Sequence, residues 1–149
     1  MDLKLENKLA LVTGSTAGIG YATAAALLHE GARVVINGRT QAAVDEALAK
    51  LKDRVDGARV MGFPTRTGCG CSRSMCSRAS DSRAYVPGMR RRDWGRIIFI
   101  SSESALQIPA EMVHYGMTKA AQVAVARGLA ESLAGTRITV NSVLGRDRA

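Results

Sequence analysis

Tyr115 and Lys119 stand four residues apart, a spacing that on an α-helix sets one side chain above the other on a single face. A phenol with a reference pKa of about 10 is a poor base at neutral pH, but a neighbouring ammonium favours the phenolate and lowers that pKa. The pair therefore offers acid/base chemistry. Ahead of it, Ser101-Ser102 close a run that reads as a strand, Arg96 to Ser101. Open α/β sheets bind ligands beyond the C-terminal ends of their strands, so Ser102 is placed to hydrogen-bond a substrate oxygen beside Tyr115. Taken alone, a Tyr/Lys pair is more often an ordinary exposed helical pair. Its conjunction with the serines and with a glycine turn gives it weight.

That turn is Gly14-Ser-Thr-Ala-Gly-Ile-Gly20, after the apolar run Lys8 to Thr13 and before an Ala-rich stretch reaching Glu30. Strand, turn and helix in this order bring free backbone N–H groups and the positive end of a helix dipole to one place, which favours a phosphate. Gly14 permits the tight turn, Gly18 lets the backbone approach a pyrophosphate, and Gly20 lets the helix pack close to the strand. The spacing differs from Gly-x-Gly-x-x-Gly, and no Gly-Lys-Ser/Thr follows, which excludes a nucleoside triphosphatase loop. The next strand ends Ile36-Asn37-Gly38-Arg39. A dinucleotide fold would set a carboxylate there on the adenosine ribose, and an arginine instead suits a 2′-phosphate, so the chemistry leans to NADP over NAD.

The elements that must position these groups follow from periodicity. Gly31 falls where a helix exit wants positive φ, and Ala32 to Ile36 forms a second strand rich in β-branched residues. Residues 40 to 54 take helical spacing through Val44, Leu48, Leu51 and Val55. Ala58 to Phe63 makes a third strand before Pro64. A short helix is expected near Ala84 to Arg91, a long one from about Val113 to Leu133, and a strand from Arg137 to Val140. Strands alternating with crossover helices predict a doubly wound α/β parallel sheet with helices on both faces. The whole chain, 1–149, reads as a single dinucleotide-binding domain.

The stretch 64–83 breaks this pattern. It shows neither strand nor helix period and reads as loop or disorder. The formal net charge of +8 is concentrated there and just beyond, since residues 64–96 hold eight basic and two acidic groups. Cys69, Cys71 and Cys76 offer three thiols where a structural zinc wants four ligands, and His29 and His114 fall on other helices, so no metal is expected. Arg90-Arg-Arg92 with Trp94 lacks the aromatic interleaving of a stacking platform and reads as a solvated helix end rather than a nucleic-acid surface. The start of the chain has no apolar h-region, no run approaches the roughly 20 residues of a membrane span, and the odd cysteine count suggests reduced thiols. A cytoplasmic protein without membrane contact is expected.

Thr13-Gly-Ser-Thr-Ala-Gly-Ile-Gly20, Ile100-Ser-Ser102, Tyr115-Gly-Met-Thr-Lys119 and Thr139-Val-Asn-Ser-Val143, in this order, closely resemble the short-chain dehydrogenase/reductase family over residues 1–63 and 84–144. The resemblance implies a Rossmann-type fold and hydride transfer between a nicotinamide and a small carbonyl or alcohol substrate. It makes Tyr115 the acid/base, Lys119 the residue that lowers its pKa and binds the nicotinamide ribose, and Ser102 the residue that orients the carbonyl. Gly14, Ser15, Thr16, Gly18, Ile19, Gly20, Asn37, Gly38 and Arg39, with Tyr115 and Lys119, become the cofactor-binding set. The helix carrying Tyr115 commonly forms dimer contacts in the family, which implies a homo-oligomer.

The family's fourth strand, its Asn-Asn-Ala-Gly motif and its catalytic Asn have no counterpart in the sequence, and Leu144 is not followed by the family's Pro-Gly segment. An internally deleted, C-terminally truncated member with weak or absent catalysis is the alternative expectation. Losing a central strand leaves either direct pairing of Ile97–Ile100 with Leu9–Val12 or a split sheet.

Overall fold

The computed structural model describes residues 3–64 and 85–145. The chain divides into two compact units, residues 1–68 and 69–149. The strands form parallel sheets linked by helical crossovers, a Rossmann-type α/β architecture.

In the first unit, β1 (Leu9–Val12), β2 (Arg33–Gly38) and β3 (Val60–Pro64) pair in parallel in that order. Helices α1 (Gly18–His29) and α2 (Gln41–Arg54) make the crossovers, as parallel neighbours require. The Thr40 hydroxyl caps α2 by accepting from Ala43 N–H. Gly31 follows α1 at a φ of +77°, as its place in the sequence predicts. Val34 and Ile36 of β2 meet Ala24, Leu28, Val44, Ala47 and Leu51 from the helices in one buried cluster. Sealing a side chain such as Ile36 or Leu51 contributes about 1.5–3 kcal/mol.

The second unit holds α3 (Val86–Arg91), β4 (Gly95–Ser102), a 3-10 turn at Glu103–Ala105, another at Ala110–Met112, α4 (Val113–Ser132) and β5 (Ile138–Gly145). β4 and β5 run parallel, from Gly95 opposite Ile138 to Ser102 opposite Gly145. Residues of β4 alternate between burial and exposure. Ile97 and Phe99 pack with Ile138 against Ala126, Leu129 and Leu133 at the C-terminal half of α4.

Register places Leu9, Val35, Met61 and Phe63 together on one face of the three-stranded sheet, and Ile98, Ile100 and Val143 together on one face of the two-stranded sheet. Both faces are open: Met61 and Ile98 are each 60% exposed.

One expectation changes. The last strand runs to Gly145, five residues beyond Val140; Asn141 and Ser142 interrupt the apolar pattern, but a ladder bonds through the backbone and tolerates them. Of the two alternatives for the strands, the described residues form separate sheets, β1-β2-β3 and β4-β5, each within its own unit. The stretch 65–84, with Cys69, Cys71 and Cys76, lies outside the described residues.

Candidate active site

The glycine turn leaves β1 and opens α1 through two left-handed residues, Gly14 at φ +62° and Gly18 at φ +57°. A Cβ on Gly20 would lie 2.5 Å from the Gly14 carbonyl oxygen and 3.0 Å from Ser15 Cα, so only glycine lets the helix start this close to the turn. No side chain caps α1, whose N-cap is Ala17, and the first N–H groups of a helix have no intrahelical acceptor. The space beside Gly18 Cα is open, with nothing within 4 Å of where a Cβ would stand. Thr13, Gly14, Ala17, Gly18 and Ile19 are exposed. Donors, openness and helix polarity suit an anionic group such as a pyrophosphate.

Ser15 and Asn37 face inward. Ser15 is fully buried; its Oγ donates to the Val12 carbonyl at 2.6 Å and accepts from Asn37 N–H at 3.0 Å, while Ser15 N–H donates to the Asn37 carbonyl at 3.0 Å. Asn37 Nδ2 donates to the Phe63 carbonyl at 3.4 Å. The C-terminal ends of all three strands are thus tied together, and the turn is held from behind. Thr16 packs over Gly38, where a Cβ would collide with Thr16 Cγ2. Arg39 is exposed at the same edge.

In the second unit, Ser102 ends β4 and Tyr115 and Lys119 lie on the first turns of α4. The Lys119 ammonium is 5.4 Å from the centroid of the Tyr115 ring. Lys119 is buried; its Nζ donates to the Ile100 carbonyl at 3.2 Å and to Gln122 Oε1 at 3.5 Å. Ser101 Oγ donates to the Lys119 carbonyl at 3.2 Å, fastening α4 to the end of the strand. Ser102 Oγ exchanges hydrogen bonds with Ser104, whose N–H donates to it and whose Oγ accepts from it, both at 3.2 Å. The end of β4 thus carries a serine hydroxyl, and the turns of α4 fastened to that strand carry a phenol and an ammonium, groups able to bind a polar oxygen and to move a proton to or from it.

Ser104 and Gln122 are contacts that motif spacing did not single out. A readable signal existed for Ser104, since Ser-x-Ser after a strand favours a local turn closed by the first hydroxyl. Arg90, Arg91 and Arg92 are exposed at the end of α3, with Arg90 donating to the Ser132 carbonyl and the Arg96 guanidinium 5.2 Å over the Trp94 ring. Among the described residues there is no group of three or more His, Cys, Asp or Glu able to hold a metal, and no helix long and apolar enough to cross a membrane.

The family model for short chain dehydrogenases matches residues 8–67 and 73–145, a narrower break than the motifs alone suggested. The chain is 34% identical to the uncharacterized oxidoreductase YvaG of Bacillus subtilis over 183 residues, covering 97% of this chain and 69% of the relative. The matched stretch of that relative is longer than this entire chain, so YvaG has internal residues that the chain lacks. Dehydrogenase/reductase SDR family member 4 of Bos taurus is 30% identical, over 92% of this chain and 64% of its own length. Among solved structures, L-sorbose reductase from Gluconobacter frateurii, complexed with NADPH and L-sorbose, superposes with a TM-score of 0.81 at 26% identity, covering 97% of this chain and 71% of that one. With the glycine turn, serine, tyrosine and lysine in family order and the family model matched on both sides of a shortened middle, the chain belongs to the short-chain dehydrogenase family of oxidoreductases.

Proposed function

We propose that this chain is an NADP-dependent oxidoreductase of the cytoplasm that interconverts a small carbonyl compound and its alcohol. The observation that carries the reading is the Lys119 ammonium 5.4 Å from the centroid of the Tyr115 ring, on a helix that Ser101 and Lys119 fasten to the end of the strand that Ser102 closes. Tyr115 delivers a proton to the carbonyl oxygen in reduction and takes it from the alcohol in oxidation, and Ser102 hydrogen-bonds that oxygen. Lys119 sets its charge beside the phenol and offers its remaining N–H to a ribose hydroxyl. Gly14, Thr16, Gly18, Ile19 and Gly20 hold the pyrophosphate through the open helix start. Ser15, Asn37 and Gly38 support that turn from within, and Arg39 takes the 2′-phosphate. The nicotinamide, when bound, supplies or accepts the hydride.

Both units belong in this reading to one dinucleotide-binding domain, acting as a homo-oligomer on a small-molecule substrate, with no nucleic acid or membrane partner. A second reading, a catalytically weak remnant that binds nucleotide at best, is favoured by the internal residues present in YvaG and absent here. Thermal melts with NADPH, NADH or neither, beside turnover of Tyr115→Phe, decide between them. Nucleotide at a hundredfold its Kd stabilises by about 2.7 kcal/mol, and Tyr115→Phe should keep that shift while losing turnover by about 10²- to 10⁴-fold. A shift without Tyr115-dependent turnover selects the remnant, and no shift with either nucleotide ends the cofactor-binding claim.

A further inference from the structure

Ser102 is buried, and most of its hydrogen-bonding capacity is already engaged by Ser104. A hydroxyl has one proton and two lone pairs. With one lone pair taken by Ser104 N–H and the proton given to Ser104 Oγ, Ser102 can still accept from a ligand but has nothing to donate. The separation of the two oxygens, 3.2 Å, is long for an O–H···O bond, so the contact is weak and easily reversed. The reverse polarity has Ser104 Oγ donating to Ser102 Oγ, which frees the Ser102 proton to point at a ligand oxygen. The two directions match the two needs of the chemistry: an alcohol must be accepted from, and a carbonyl must be donated to.

The backbone of Ser104 is in turn seated on Gly116, the residue after Tyr115. A Cβ on Gly116 would stand 3.0 Å from the Ser104 carbonyl oxygen and 2.6 Å from Ile108 Cγ2. Glycine inside a helix is less favourable than alanine, and this close approach is what it permits. The 3-10 turn at Glu103–Ala105 therefore rests directly on the part of α4 that carries the phenol.

We infer that Ser104 is a positioning residue that sets the direction of the Ser102 hydroxyl, and that Gly116 fixes the distance between this hydroxyl pair and Tyr115. The inference rests on the oxidoreductase reading above.

The test compares Ser104→Ala, Ser104→Thr, Gly116→Ala, Ser102→Ala and the Ser102→Ala/Ser104→Ala double variant with the full chain. Turnover is followed with NADPH against a panel of small aldehydes, ketones and α-diketones, and urea unfolding is measured for each variant. Ser104→Ala should lower kcat about tenfold, the size of one hydrogen bond, with KM changed less than about twofold. Ser104→Thr, which keeps the hydroxyl, should recover most of that loss, and Gly116→Ala should lower kcat about three- to tenfold through displacement of the turn. The double variant should be no slower than Ser102→Ala alone. Wild-type kcat in Ser104→Ala, or losses that multiply in the double variant, would overturn the inference while leaving the activity standing. Absence of Tyr115-dependent turnover in the full chain would remove the oxidoreductase reading instead. The unfolding midpoints then decide the pairing, with non-additive shifts sustaining it and additive shifts refuting it.

Discussion

Residues 3–64 hold their candidate site on three parallel strands and two helices, whereas residues 85–145 hold theirs on two strands and one long helix. In the first unit Ile36, Val44 and Leu51 are fully sealed from solvent, while in the second Ile97 and Phe99 each remain 9% exposed. The tethers differ too. Backbone geometry and one buried serine set the glycine turn, through Gly20 against Gly14 and Ser15 between strand ends. Side chains set the candidate catalytic group, through Ser101 on the Lys119 carbonyl, Lys119 on the Ile100 carbonyl and Ser104 on Ser102. The glycine turn should thus survive most side-chain changes around it, and the candidate catalytic group should respond to single polar substitutions that leave the fold intact.

Core truncation gives the widest contrast. Leu51→Ala should lower unfolding free energy by about 3–4 kcal/mol, and Leu129→Ala by about 2 kcal/mol, since Leu129 is 7% exposed and Leu51 fully buried. Equal losses in denaturant unfolding would break the comparison. Next in size is Gly20→Ala, whose new methyl meets backbone and not a movable side chain. It should cost about 1–3 kcal/mol and abolish the NADPH-dependent rise in melting temperature; an unchanged rise would show that the turn does not hold the nucleotide. Arg39→Ala should weaken NADPH about tenfold and leave NADH unaltered in titration, because the exposed guanidinium meets only the extra phosphate. Parallel weakening of both nucleotides would detach Arg39 from cofactor choice.

The smallest effect belongs to the exposed Glu46–Lys50 pair, 2.6 Å apart on α2. The hydrogen bond from Lys50, and then its charge, hold the Glu46 carboxyl below its ordinary value, while the same bond and charge raise Lys50. The pair's contribution is complete between the ordinary values of 4.5 and 10.5. It fades as pH falls through the lowered Glu46 value or rises through the raised Lys50 value. Both side chains are largely solvated, so Glu46→Gln should leave the neutral-pH melting midpoint within error. A clear drop would mean that surface charge, and not the buried cluster, carries the first unit.

Much of the first unit was legible because its signals are local: the β-branched run of β2, the three-and-four spacing of Val44, Leu48 and Leu51, and glycine where the chain turns left-handed. The stacking of Tyr115 and Lys119 on one helix face was legible from their four-residue spacing. Sheet partners were not, since neither β1 nor β4 states in its own residues which strand it must join. The extension of β5 was hidden by Asn141 and Ser142, whose polarity says nothing about backbone pairing. The inward role of Ser15 and the seat of Ser104 on Gly116 depend on how closely two segments approach, which no residue pattern encodes directly. Glycine in the first turn of α4, at Gly116, and the Ser102-x-Ser104 pattern were the visible hints.

The open sheet faces bear on how the molecule behaves in bulk solution. Parallel sheets are ordinarily covered on both sides, and contiguous exposed apolar surface drives dye binding and self-association. Leu9, Met61 and Phe63 on one sheet, with Ile98, Ile100 and Val143 on the other, make colloidal behaviour a property of the fold itself. Solubility should therefore fall as kosmotropic salt rises, well before any residue of either site is disturbed.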